Sequence, residues 1–150
     1  PRVELAPEPS PREATRMRIR KGNETVLLAE DSDVVRRLVR ELLLKNGYQL
    51  LEARDGHEAL RISEEHAGPI DLLVTDMVMP HMSGRELAAQ LVPKRPKMKI
   101  LYMSGYTEEA IAKHGVLDPG TAFLEKPFTP DALARKAREL LDAASGPAQI

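Results

Sequence analysis

The sequence predicts an α/β fold, a parallel five-stranded sheet with helices on both faces, and two observations, with one rule of chain topology, predict it. Short apolar, β-rich runs alternate with amphipathic stretches from Thr25 to the end of the chain. One run, residues 70–75, is apolar except at Asp71, the pattern of a strand buried on both faces. Parallel strands need crossovers, and crossovers within one sheet are right-handed, so regular alternation lays helices on both sides.

Each element follows from local chemistry. Residues 25–29 form the first strand run, ending in Glu30 and Asp31. Val34, Val35, Leu38, Val39, Leu42 and Leu43 recur at i, i+3/i+4 spacing with Arg36, Arg37, Arg40 and Glu41 between them. That spacing predicts a helix over 33–45, with Asp33 as its N-cap and Asn46 and Gly47 as its stop. Residues 48–53 read as the second strand. Asp55 and Gly56 then turn the chain into a helix over about 57–66, which Gly68 and Pro69 end. After the third strand, at 70–75, a helix follows Gly84 and stops near Pro93. Residues 100–103 make a fourth strand, 108–114 a short helix and 122–124 a fifth strand. Thr129 as N-cap and Pro130 at the first helical position start the last helix, whose buried stripe is Leu133, Ala137, Leu140 and Leu141.

Residues 1–23, with Pro7, Pro9 and Pro11 among charged side chains and no apolar period, read as a flexible linker. One domain over 24–144 and a C-terminal tail over 145–150 complete the division. A chain of 150 residues, 42% hydrophobic, suits one core. Its 22 basic and 23 acidic side chains, a net charge of -1, give no global field toward nucleic acid or an anionic membrane. Without cysteine there is neither a disulfide framework nor a thiolate metal site, and the apolar runs fall far short of the roughly 20 residues of a membrane helix. A cytoplasmic location is expected, with no nucleic acid and no membrane contact by this segment. The opening at Pro1 suggests a piece of a longer protein, whose remainder could carry an anchor. His57, His66, His81 and His114 show no partnering pattern and read as surface residues.

The polar residues at the strand ends carry the chemistry. Glu30 and Asp31 follow the first strand, Asp76 the third, Ser104 the fourth and Lys126 the fifth. In a parallel sheet these meet at the carboxyl edge, where such folds bind ligands. Singly, each has a plainer role: Asp31 as a loop acid, Ser104 as a turn residue, Lys126 as a loop lysine. Together, three carboxylates repel one another unless a cation or protons offset them. An all-oxygen set suits a hard ion, so Mg²⁺ is the natural occupant. Lys126 adds a point charge for an anion and Ser104 a hydroxyl donor. Asp76, at the end of the most buried strand, is placed to attack a phosphoryl group and form an aspartyl phosphate.

The segments Leu28-Ala29-Glu30-Asp31-Ser32, Thr75-Asp76-Met77-Val78-Met79-Pro80-His81-Met82-Ser83-Gly84, Tyr102-Met103-Ser104-Gly105-Tyr106 and Phe123-Leu124-Glu125-Lys126-Pro127-Phe128 resemble the receiver domain of two-component response regulators. The likeness covers about residues 24–143. It implies a flavodoxin-like (βα)5 fold with strand order 2-1-3-4-5. It also implies phosphoryl transfer to Asp76 from the phosphohistidine of a histidine kinase or phosphotransfer domain. By the same resemblance Mg²⁺ is held by Asp31, Asp76 and the backbone carbonyl of Val78, with Glu30 acting largely through water. Ser104 and Lys126 contact the phosphoryl group, and Ser104 and Phe123 form the switch. Phe123 stands where the family often has Tyr, and Glu30 where Asp is commoner. Lys126-Pro127 is where the family has a cis peptide. The face of the fourth and fifth helices with the fifth strand is the implied homodimer or partner surface.

The words around Tyr102 and the segment opening Pro1-Arg2-Val3-Glu4 resemble the C-terminal receiver of a hybrid sensor histidine kinase, and the chain's early end after the last helix argues against a DNA-binding output domain. The expected role is a signalling phosphoacceptor that catalyses its own phosphorylation and dephosphorylation, not a dedicated enzyme. A haloacid-dehalogenase-like phosphatase would need a second acid where Val78 stands. Dinucleotide binding would need a glycine-rich loop after the first strand. A phosphorylation-independent interaction module is the remaining rival, and Mg²⁺ binding separates it from a phosphoacceptor.

Overall fold

A computed structural model describes residues 23–105 and 121–143. The predicted linker and tail, and the predicted helix at 108–114, lie outside the described residues. The elements are β1 (Thr25–Ala29), α1 (Asp33–Lys45), β2 (Gln49–Ala53), α2 (Gly56–Glu65), β3 (Leu72–Asp76), α3 (Gly84–Leu91), β4 (Lys99–Ser104), β5 (Thr121–Glu125) and α4 (Pro130–Ala143). All strand pairs are parallel and the order is β2-β1-β3-β4-β5.

Alternation along each strand divides the core into two layers. Leu27, Leu73, Ile100, Tyr102 and Phe123 pack with Ala59 of α2 and Leu87 and Leu91 of α3. Val26, Leu28, Leu72, Val74, Leu101 and Leu124 pack with Val39 and Leu43 of α1 and Leu133 and Ala137 of α4. At about 1.5–3 kcal/mol for each large side chain withdrawn from water, these layers hold the carboxyl edge of the sheet rigid.

Several boundaries differ from the sequence reading, each for a local reason. Ser32, not Asp33, caps α1: its extended backbone lets the hydroxyl accept the Val35 N–H at 3.3 Å. Asp33 is already helical and pairs with Arg36, where its charge also suits the helix N-terminus. Tyr48, assigned to the second strand, ends α1 instead. Gly47 adopts φ 91°, its N–H reaches the Leu44 carbonyl at 3.0 Å, and the Tyr48 N–H reaches that of Leu43 at 3.2 Å. This is a Schellman closure. Gly56, expected in the turn, is the first residue of α2 behind its Asp55 cap. Ile70 and Asp71 precede β3, and the Asp71 carboxylate accepts the Thr25 N–H at 2.9 Å, so the one polar interruption in the run fastens the start of β1. Val34 and Leu38, part of the helical period, stand 76% and 48% exposed.

Candidate functional site

The carboxyl ends of β1, β3, β4 and β5 bring together the residues singled out in the sequence. Glu30 leaves β1 with its backbone N–H on the Ala53 carbonyl, 3.2 Å away, and its side chain is 1% exposed. Its Oε2 accepts the Ser32 N–H at 2.9 Å and its Oε1 lies 3.3 Å from Lys126 Nζ. The longer arm of a glutamate thus folds back under the turn while Asp31 projects outward, exposed. Asp76 ends β3, its side chain 13% exposed, with Oδ1 3.4 Å from the same Lys126 ammonium. Oxygens of Glu30, Asp31 and Asp76 all lie within 4.8 Å of one another.

Lys126 is aimed by backbone. Its N–H donates to the Ser104 carbonyl at 2.7 Å, extending the β4–β5 ladder one residue past the strand, and the Lys126-Pro127 bond is cis, as the resemblance implied. Ser104 closes β4, buried, one step beyond the level at which Asp76 pairs with Met103. Phe123 is buried two residues before the end of β5 and stacks on Tyr102, ring centroids 5.3 Å apart and planes 27° apart. Val78 is exposed in the loop after Asp76, and its backbone N–H favours the ionised Asp76 carboxylate.

The electrostatics follow from this crowding. Burial pushes the Asp76 carboxyl above the usual carboxylate range and the nearby Asp31 adds to it, while Lys126 and the Val78 N–H pull it back. Glu30 is raised too, by burial first and by Asp76, against the pull of the Ser32 N–H and Lys126. One ammonium shared by a buried acid and a partly buried one, with an exposed third beside them, leaves negative charge that a hard cation would offset. The donor set, all carboxylate oxygen, fits a divalent ion of that kind.

Arg36 is a site residue that the sequence reading passed over. It donates to the Glu30 carbonyl at 2.9 Å and to Glu52 at 3.3 Å, so it fixes the peptide between the two neighbouring acids. Its spacing in α1 does not separate it from Arg37 or Arg40.

A family model described as the response regulator receiver domain matches residues 26–138. The chain belongs to this family. The receiver domain is 42% identical over 121 residues to the sensor kinase CckA of Brucella abortus, a match covering 81% of the chain and 13% of that protein. It is 35% identical over 120 residues to the response regulator receiver protein CpdR of Brucella abortus, covering 79% of the chain and 98% of that protein. Among solved structures it is similar to the receiver domain from the hybrid histidine kinase CckA, with TM-score 0.67 and 37% identity over 78% of this chain and 98% of that one. The Vibrio cholerae chemotaxis protein CheY4 gives TM-score 0.72 at 28% identity, covering 80% of this chain and 100% of that one. The flavodoxin-like order 2-1-3-4-5 is therefore both observed and shared with these receivers. The chain spans 13% of CckA and 31% of a Thermotoga maritima cyclic di-GMP phosphodiesterase that it also matches. Among the described residues no helix is long and apolar enough to cross a membrane.

Proposed function

We propose that this receiver domain accepts a phosphoryl group on the Asp76 carboxylate from the phosphohistidine of a histidine kinase or phosphotransfer domain. What carries this reading is the Lys126 ammonium, 3.4 Å from Asp76 Oδ1 and 3.3 Å from Glu30 Oε1, at a rim that also holds Asp31. An Asp76 oxygen attacks phosphorus, the P–N bond breaks, and its electron pair returns to the donor imidazole, leaving an acyl phosphate. Lys126 and the Ser104 hydroxyl meet the charge on the phosphoryl oxygens. Water attack at the same phosphorus later releases phosphate and regenerates Asp76.

Asp31, Asp76 and the Val78 carbonyl are the proposed holders of Mg²⁺, with Glu30 acting through water. When bound, the ion supplies positive charge beside the transferring oxygens. Ser104 and Phe123 are the proposed switch pair, with β5 and α4 forming part of the partner or dimer face. Val34 and Val78, exposed beside the acids of β1 and β3, offer apolar surface for a donor protein. The similarity to CckA supports a hybrid kinase as the parent context, and a cytoplasmic location of this domain is part of the same proposal.

Intact mass after incubation with acetyl phosphate and Mg²⁺ tests the acceptor. A metal-dependent gain of one phosphoryl group, lost in Asp76→Asn, is the expected result. No gain in a folded wild type overturns the proposal in favour of an interaction module.

A further inference from the structure

Between the end of β3 and the start of α3 runs the loop 77–83, closed at its neck by Gly84 and packed at Met82 against Gly56. At its near end the Met77 N–H donates to the Met103 carbonyl at 2.9 Å and the Met77 carbonyl accepts the Gly84 N–H at 3.0 Å. Gly84 lies so close to β3 that a methyl group there would overlap the Asp76 carbonyl oxygen. Toward its far end the buried Met82 side chain rests on the backbone of Gly56. A methyl on Gly56 would stand 2.6 Å from Met82 Sδ and 3.0 Å from both Cβ and Cγ. Crowding at Cβ involves the stem of the side chain, so the Met82 backbone would have to yield as well. Gly56 itself cannot retreat easily: it opens α2 behind Asp55, whose carboxylate accepts the Glu58 N–H at 2.8 Å.

Val78 sits between these anchors. Val78 is 61% exposed, so its own burial does not hold it, yet its peptide N–H favours the ionised Asp76 carboxylate. The placement of that peptide comes from its neighbours: the Met77 backbone bonds, Met79, buried beside it with Sδ 4.0 Å from the Thr75 hydroxyl, and Met82, which shares a core cluster with Met79. We infer that Met82 and the Gly56 backbone beneath it are positioning residues for the Val78 peptide, and that this seat sets the affinity of the acidic site for a divalent cation. The inference rests on the proposal that Asp31, Asp76 and Val78 hold Mg²⁺. Partners one layer out from a metal commonly change its affinity by roughly 10–100-fold.

Gly56→Ala is informative because alanine is the better helix former, so lost metal affinity would not follow from a weakened α2. Mg²⁺ alone, titrated into the folded proteins by calorimetry or amide chemical shifts, gives the readout. Gly56→Ala and Met82→Ala should each raise the Kd roughly 10-fold. Gly68→Ala, whose methyl would meet only the His66 ring at 3.4 Å, should leave it within about twofold. The double variant should be no weaker than Met82→Ala, because the added methyl then has room. Should Gly56→Ala fail to fold, Met82→Ala carries the test. Wild-type Kd in the folded variants overturns the seat alone; a wild type that binds no Mg²⁺ overturns the metal proposal and the seat together.

Discussion

The Lys126 ammonium stands 3.4 Å from Asp76 Oδ1, across the β3–β4–β5 edge, and shares its charge with Glu30 at 3.3 Å. Both acids are nonetheless raised above their ordinary values of 3.8 and 4.5, burial being the main cause. A carboxyl raised in the folded state contributes stability that is complete below its unfolded pKa and lost as pH rises through the folded one. Without metal, Asp76→Asn should therefore raise Tm at pH 7 by roughly 3 °C or more, while Lys126→Met should lower it, and both differences should shrink toward pH 4. Mg²⁺ should stabilise wild type and not Asp76→Asn. Melting curves at pH 4 and 7, with and without Mg²⁺, check all three outcomes.

Glu24 and Arg138 give a pH dependence of the opposite sign. Arg138 in α4 donates to Glu24 Oε2 at 2.6 Å and Oε1 at 3.2 Å, and also reaches Tyr48 and Asp142. The guanidinium holds the Glu24 carboxyl below the usual range. That stability is present above the ordinary value of 4.5 and is lost as pH falls through the folded one. Glu24→Gln should cost about 1–2 kcal/mol at pH 7, since a charge-assisted bidentate pair is weakened, and little in strong acid. Urea unfolding at two pH values reads the difference.

Arg95 ties the end of α2 to the segment after α3. Its guanidinium donates to the Ser63 hydroxyl and to the carbonyls of Ser63, His66 and Gly68, at 2.9–3.0 Å. Two of these, the Ser63 and His66 carbonyls, are acceptors that a helix C-terminus leaves open. Arg95→Lys should destabilise by about 2 kcal/mol because an ammonium cannot span the same fork, and the loss should appear in urea midpoints without change in Mg²⁺ affinity.

The parts legible in the sequence are those that depend on neighbours along the chain. A strand run ends where its apolar residues end, so Glu30, Asp76, Ser104 and Lys126 could be assigned to one edge before any coordinates. The strand order came with the family resemblance, since alternation alone does not say which strand is central. What could not be read depends on contacts between distant segments. Six apolar positions in α1 wrap more than one face, and only docking shows that Val39 and Leu43 are buried while Val34 and Leu38 are not. Arg36, Arg95 and the Met82–Gly56 contact likewise join residues whose local patterns resemble those of ordinary surface or turn positions. Ser32 and Asp33 are both competent caps, and backbone geometry chose between them.

The Tyr102–Phe123 stack leads to the last prediction. Phe123 carries no hydroxyl, so the inward placement of its ring rests on burial and on the Tyr102 face 5.3 Å away. An aromatic pair of this kind contributes about 0.5–1.5 kcal/mol beyond area alone. Tyr102→Leu keeps most of the apolar volume and removes that share, so the ring should populate outward rotamers more often. Phe123→Leu loses both the pair and some packing, and should cost about 2 kcal/mol in stability. If stacking holds the ring, Phe123 aromatic NMR shifts in metal-free protein should move toward solvent-exposed values in Tyr102→Leu, and a phosphoryl mimic should bring them back only in part. Unchanged shifts in that variant would mean that the surrounding core, not Tyr102, sets the ring.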